Sequence, residues 1–243
     1  MTTFVIQCEK VKGNLMPMFD FCFEAIQAIN YQNWFHGNVY DFVLAEEIRD
    51  EHKECIPIGS VEFVTNHMKK FHNISNISPL NIPDILFPFA KREIMRVSRD
   101  NLWPVIYSHD RLFVKADDQI KGYADICTPK SNIPFSNRYL VSEVIDINTE
   151  WRCFVRNGKL LDMKCYSGEF NIFPDVAEIN KMISAYTEAP PAYTIDVGVN
   201  TKGETVIIEC HNFFSCGLYG FSDYRYLLDM FLKAYHWQIN HSK

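Results

Sequence analysis

The chain has 243 residues and a formal net charge of −6, with 24 lysines and arginines against 30 aspartates and glutamates. Its length allows one large domain or two small ones, and an apolar fraction of 47% excludes a disordered chain. The acidic balance speaks against a broad nucleic-acid footprint, which needs a basic face to displace counterions, but leaves room for a local basic pocket.

The eight cysteines, at positions 8, 22, 55, 127, 153, 165, 210 and 216, show no C-x-x-C and no zinc-type pairing with histidine. They sit in apolar or β-rich stretches, as reduced, buried thiols do in a cytoplasmic protein. The opening MTTFVIQCEKVKGN lacks the apolar run of a signal peptide, and no apolar run approaches the ~20 residues that span a bilayer. Neither a membrane nor a nucleic acid is an expected partner, and the cytoplasm is the expected compartment.

In chain order, residues 2–7 read as a strand and MPMFDFCFEAIQAIN as a helix, a first β-α unit. NVYDFVLA (38–45) reads as a second strand, and IPIGSVEFVTNHMKKF as a third, with Ser60 capping a helix through Lys70. Residues 73–90, with prolines at 79, 83 and 88, read as an irregular linker and place a domain boundary. Trp34, Phe35 and His36 read as a loop available for substrate contact or for packing.

From Arg111 the texture is β-rich. RLFVKA and RYLVSEVI precede EWRCFVRNGKLLDMKCYSG, where Asn157-Gly158 between alternating strands signals a type I′ hairpin. A helix over PDVAEINKMISAYTEA follows, started by Pro174 and stopped before Pro190-Pro191. AYTIDVGVN and GETVIIEC form a second hairpin that sets Asp196 beside Glu209. A Ser222-capped amphipathic helix, SDYRYLLDMFLKAYHW, closes the chain.

Asp196 and Glu209, two carboxylates in mid-sheet, repel unless protonated or bridged by a cation. Either they pair with nearby lysine or arginine, or with Asn212 they form an oxygen-donor set suited to Mg²⁺, which takes its remaining ligands from water and phosphates. Lys115, Lys121, Arg152 and Lys164 are the cations a phosphate would need, unless each is a solvated edge charge. DDQIKGYAD could flap over phosphates, with Gly122 permitting close approach. In LVSEVID, Glu143 stands where an extended segment would offer a carboxylate to a ribose, or is an exposed strand residue.

In this order the pieces FVKADDQIKG, VSEVID, EWRCFV, YTIDVGV and VIIECHNFFS resemble the ATP-grasp family. More narrowly they resemble the clade, common in bacteriophages, named for one arginine and two lysines, whose members carry a GLYG-like turn after the metal strand. The resemblance covers roughly residues 85–243. It implies an α/β (α+β) fold with antiparallel sheets and packed helices: a small N-terminal α/β lobe (1–85), then an ATP-grasp domain (86–243) divided into a nucleotide lobe (about 86–145) and a metal and catalytic lobe (about 146–243). Lys115 and Lys121 would contact the α/β-phosphates, and Glu143 with the Val144 and Ile145 backbone would hold the nucleoside. Arg152 would face the γ-phosphate, Lys164 would be a further phosphate or substrate contact, and Asp196, Glu209 and Asn212 would hold Mg²⁺.

Two departures from the family pattern stand out. The usual Glu-x-Asn is Glu-Cys-His, with His211 in place of Asn and Asn212 one position later; a bulge would let Asn212 serve. His211 could instead bind metal or substrate, act as the base that deprotonates an amine, or simply hydrogen-bond. The flap also lacks the glycine-rich run of many relatives. The resemblance implies an ATP-dependent carboxylate-amine ligase working through an acylphosphate on a peptide, protein or amino acid, in the host cytoplasm if the chain is phage-encoded. A kinase or nucleotide sensor on the same fold, or an interaction protein whose charges form an ion-pair network, are the alternatives.

Overall fold

A computed structural model describes residues 1–241. The N-terminal sheet is built on β1 (Thr2–Val11), which lies parallel to both β3 (Tyr40–Ala45) and β4 (Ile56–Ile58) and pairs antiparallel at its far end with β2 (Asn14–Pro17). Helix α1 (Asp20–His36) and helix α2 (Val61–His72) follow β2 and β4. Ser60 caps α2 as its sequence requires, accepting from the Phe63 N–H at 3.1 Å. Met16 and Pro17 belong to a strand and not to the expected helix, because Lys12 and Gly13 both take positive φ (50° and 85°) and turn β1 back on itself. Trp34 and Phe35 are not in a loop: they ride the last turn of α1, 83% and 59% exposed.

The second sheet has the order β5-β8-β6-β7, from β5 (Ile94–Ser98), β6 (Leu112–Ala116), β7 (Ala124–Cys127) and β8 (Arg138–Ser142). Helix α3 (Arg99–Tyr107) covers it through Leu102 and Ile106. The third sheet, β10-β9-β11-β12, is antiparallel throughout: β9 (Ile147–Arg156), β10 (Lys159–Gly168), β11 (Ala192–Asn200) and β12 (Thr205–Asn212). Both hairpin expectations are met, with Asn157 and Gly158 at φ 49° and 68° as a type I′ turn demands. Helix α4 (Val176–Ala185) covers one face of this sheet and is capped by Asp175, whose carboxylate accepts from the Ala177 N–H.

Helix α5 (Leu227–His241) begins five residues after Ser222, because residues 222–226 form turns instead of the expected first helical turn. It joins Phe213, Phe214, Leu218 and Phe221, the third sheet's Phe154, and the buried faces of α1 and α2 in one apolar core. The N-terminal lobe is thereby packed against the third sheet.

Candidate active site

Four charged residues of the third sheet fall in one row across its strands. Lys164 pairs with Arg152, Arg152 with Asp196, and Asp196 with Glu209, each directly across from the next on β10, β9, β11 and β12. Cross-strand neighbours sit about 5 Å apart, so four strands fix four side chains without any loop.

The two middle members of the row, Arg152 and Asp196, form an ion pair. Arg152 donates from Nε (2.8 Å) and Nη2 (2.7 Å) to the two oxygens of Asp196, and from Nη1 to the Gly217 carbonyl at 3.1 Å. Tyr219 and Tyr166, stacked on each other, lie 5.0 and 5.8 Å from the guanidinium. Arg152 is 6% exposed and Asp196 3%. Burial pushes the Asp196 carboxyl up, but the bonds from Arg152 and His211 outweigh it and hold the group below its ordinary range. Glu209 is paired with Lys115 from β6, which bridges the second and third sheets. His211 Nε2 lies 3.2 Å from Asp196 and 3.3 Å from Glu209; facing two acceptor-only groups, it must carry the proton.

Asn212 is not brought to these carboxylates. The irregularity in the β11–β12 register falls at Ile208, before Glu209, so regular pairing then runs through Cys210 and His211 to Asn212. Strict alternation therefore puts Glu209 with His211. The Asn212 amide is spent elsewhere, donating to the Ser78 carbonyl (3.0 Å) and accepting from Gln238 of α5 (2.6 Å). Lys164 keeps its place in the row, but its ammonium pairs with Asp162 at 2.9 Å and lines neither of the cavities described next.

Two cavities meet beside Lys115 and Glu209. One, about 340 Å³, lies between the second and third sheets: Phe113, Leu140, Ile94 and Ile208 give it apolar walls, and Glu143, Val144 and Ile145 close one end. Glu143 and Glu93 hold that end by a reciprocal pair, Glu143 donating its N–H to the Glu93 carbonyl and accepting the Glu93 N–H on its carboxylate. The other cavity, about 450 Å³, is lined by Lys115, Lys121, Gly122, Arg152, Glu209 and His211, with Asp20 and Phe21 of the N-terminal lobe opposite. Nine of the expected residues thus line one or both cavities: Lys115, Lys121, Glu143, Val144, Ile145, Arg152, Glu209, His211 and Asn212; Lys164 and Asp196 line neither.

Sequence reading missed β5, α3 and two residues in particular. Arg92 donates to Ser142 Oγ, to the Ala90 carbonyl and to the Ile207 carbonyl, tying the crossing segment to β12. Asn81 lies in the linker and borders both cavities. Neither stands in a strand, so no alternation marked them.

The donor set fits a divalent cation only in part. Glu209 is an oxygen donor open to both cavities, whereas both oxygens of Asp196 accept from Arg152 and Asn212 Oδ1 accepts from Gln238. Among the described residues no three His, Cys, Asp or Glu side chains are grouped to hold a metal.

Two antiparallel sheets facing each other across a cleft, crossed at one end by an extended segment, make up the ATP-grasp fold. The chain belongs to that family: residues 89–228, more than half of it, match the ATP-grasp domain of family 2 in the clade named for one arginine and two lysines. The solved structure of D-alanine–D-alanine ligase from Bacillus anthracis superposes with a TM-score of 0.55 at 13% identity, covering 100% of both chains. The same enzyme complexed with ATP gives 0.51 at 13% identity, covering 99% of each. N5-carboxyaminoimidazole ribonucleotide synthetase from Thermotoga maritima gives 0.54 at 12% identity, over 96% of this chain and 76% of that one. No curated protein matches the chain by sequence.

Proposed function

We propose that the chain is an ATP-dependent ligase that joins a carboxylate to an amine through an acylphosphate. The observation that carries this reading is the pair of cavities joined at Lys115: a mostly apolar slot opening onto a chamber lined by Lys115, Lys121 and Arg152. The base would enter between Phe113, Leu140 and Ile208, with its polar edge against the Glu143–Ile145 backbone. Lys115 and Lys121 would take the α- and β-phosphates as point charges. Glu209 would hold Mg²⁺, which when bound supplies charge neutralisation to the phosphates.

A substrate carboxylate oxygen then attacks the γ-phosphorus as the bond to the β-phosphate oxygen breaks, leaving ADP and an acylphosphate. The amine attacks the acyl carbon, phosphate departs, and the amine nitrogen loses a proton. Arg152, fixed by Asp196, supplies a preorganised positive charge where negative charge develops, at no cost of reorganisation. No protein nucleophile is needed, in keeping with thiols that are mostly buried and, where shifted, pushed upward by burial. The acceptor is a small molecule, a peptide or a protein terminus presented from the N-terminal lobe.

Thermal melting with ATP and Mg²⁺ together, each alone, and neither tests the nucleotide site, since a ligand bound only by the folded state raises its stability. Release of ADP that depends on both an added carboxylate and an added amine identifies the ligase. ADP release with either alone would make the protein a kinase or an ATPase, and no shift at millimolar ATP would refute the nucleotide reading.

A further inference from the structure

Four buried side-chain polar atoms have no partner among the described residues: Asn81 Oδ1, Tyr193 Oη, Thr194 Oγ1 and Ser215 Oγ. Of these residues only Asn81 borders both cavities. It is 1% exposed, and an unsatisfied acceptor at that depth is unfavourable until something donates to it.

The orientation of its amide is dictated by its neighbours. Asn81 Nδ2 donates to the Asp117 carbonyl (3.2 Å) and to Asp117 Oδ1 (2.9 Å), while Asp117 Oδ2 is held by Arg96 and Arg138. Both Asp117 atoms are acceptors, so the amide must turn its nitrogen to them and present its oxygen on the other side. The backbone is held as firmly. Asn81 takes φ 47°, and its carbonyl accepts from the Cys210 N–H at 2.6 Å, clamping the linker to β12 next to Glu209.

Asn81, Lys115, Ala124 and Glu209 are shared by the two cavities and form the waist between them. In a nucleotide whose base fills the apolar slot and whose phosphates fill the cationic chamber, the waist holds the sugar. A fixed acceptor there needs a donor. Ionised phosphate oxygens have no proton to give, and the base's exocyclic amine lies at the far end of the slot. A ribose hydroxyl remains. We infer that Asn81 Oδ1 accepts a hydrogen bond from a ribose hydroxyl of the bound nucleotide and selects ribonucleotides over deoxynucleotides.

This inference rests on the nucleotide reading above and can fail separately from it. Calorimetric titration of the whole protein, with Mg²⁺ in excess, compares ATP, 2′-deoxy-ATP and 3′-deoxy-ATP. One deoxy analogue is expected to bind roughly threefold to tenfold more weakly than ATP, the usual worth of one neutral hydrogen bond. In Asn81→Gly, which suits the positive φ and leaves Asp117 its two arginines, that preference disappears. A wild-type protein that binds ATP and both deoxy analogues equally overturns the assignment of Asn81 and leaves the nucleotide site standing. A preference that survives in Asn81→Gly overturns it too. Failure of the wild type to bind ATP overturns both readings together.

Discussion

Lys115 and Glu209 hold each other across the mouth of the cleft, a lysine of the second sheet on a carboxylate of the third. Each is the other's counter-ion in the protein alone, and each is expected to change partner when nucleotide arrives: Lys115 to phosphate, Glu209 to a divalent cation. Neither exchange is favourable by itself, since it strands the other charge in a partly desolvated site. Metal and ATP are therefore expected to bind synergistically, each raising affinity for the other by the same factor. Titration of Mg²⁺ with and without ATP measures that factor; independent binding would show that the pair does not open.

Removing one member of this pair separates the two contributions. Glu209→Gln is expected to remove the Mg²⁺-dependent part of the ATP-induced rise in melting temperature while the free protein still melts cooperatively. Lys115→Gln should weaken ATP binding by roughly tenfold to a hundredfold, the worth of one charge-assisted hydrogen bond. Unchanged affinity would place the phosphates elsewhere.

Arg152→Ala has a different effect, because the ion pair it breaks is buried. Asp196 would keep only the contact with His211 Nε2, and loss of one member of such a pair costs about 3–5 kcal/mol. Arg152→Lys should recover little of it, since one ammonium cannot replace a forked contact to both carboxylate oxygens and a bond to the Gly217 carbonyl. Urea unfolding of the two variants decides; near-wild-type stability in either would mean that the row is dispensable to the fold.

The histidines of α2 predict how stability depends on pH. His67 is fully buried, with Nε2 2.9 Å from the His52 carbonyl, and Nδ1 3.4 Å from Tyr235 Oη, which contacts His72 Nε2 at 2.7 Å. Burial lowers the affinity of His52 and His67 for protons. Below the ordinary histidine range the unfolded chain therefore takes up protons that the folded chain refuses, and stability falls as the pH drops through about 6.5. Each proton so excluded contributes up to about 1.4 kcal/mol per pH unit. The melting temperature should decline from pH 7 toward pH 5, and less steeply in His67→Gln; equal slopes would assign the effect to other groups.

Gly168 ends β10 at φ 78°, and a Cβ there would run into the Asn148 carbonyl oxygen. Gly168→Ala combines backbone strain with a clash against main chain that cannot swing away, and should cost more than about 2 kcal/mol in urea unfolding. A neutral effect would mean that the end of β10 is free to shift.

How far this was legible in the sequence depended on what carried the signal. The β9–β10 and β11–β12 hairpins could be read because Asn157-Gly158 and the short Thr201-Lys202-Gly203 turn fix register, and register alone aligns Arg152, Asp196 and Glu209. The identity of the atoms that meet there was not legible. The bulge at Ile208 left His211 beside Glu209, and only packing against α5 determined where the Asn212 amide would be spent. Asn81 and Arg92 act through irregular backbone, for which the sequence has no period.

The segment from Phe213 through α5 has a consequence for how the molecule is made. Phe213 to Phe221 and α5 complete the apolar core that α1 and α2 begin, with the whole of the second and third sheets emerging between the two halves. During synthesis the faces of α1 and α2 that this segment covers stay uncovered until it has left the ribosome. This part of the apolar core is thus among the last to be finished, and a product stalled before Phe213 lacks it.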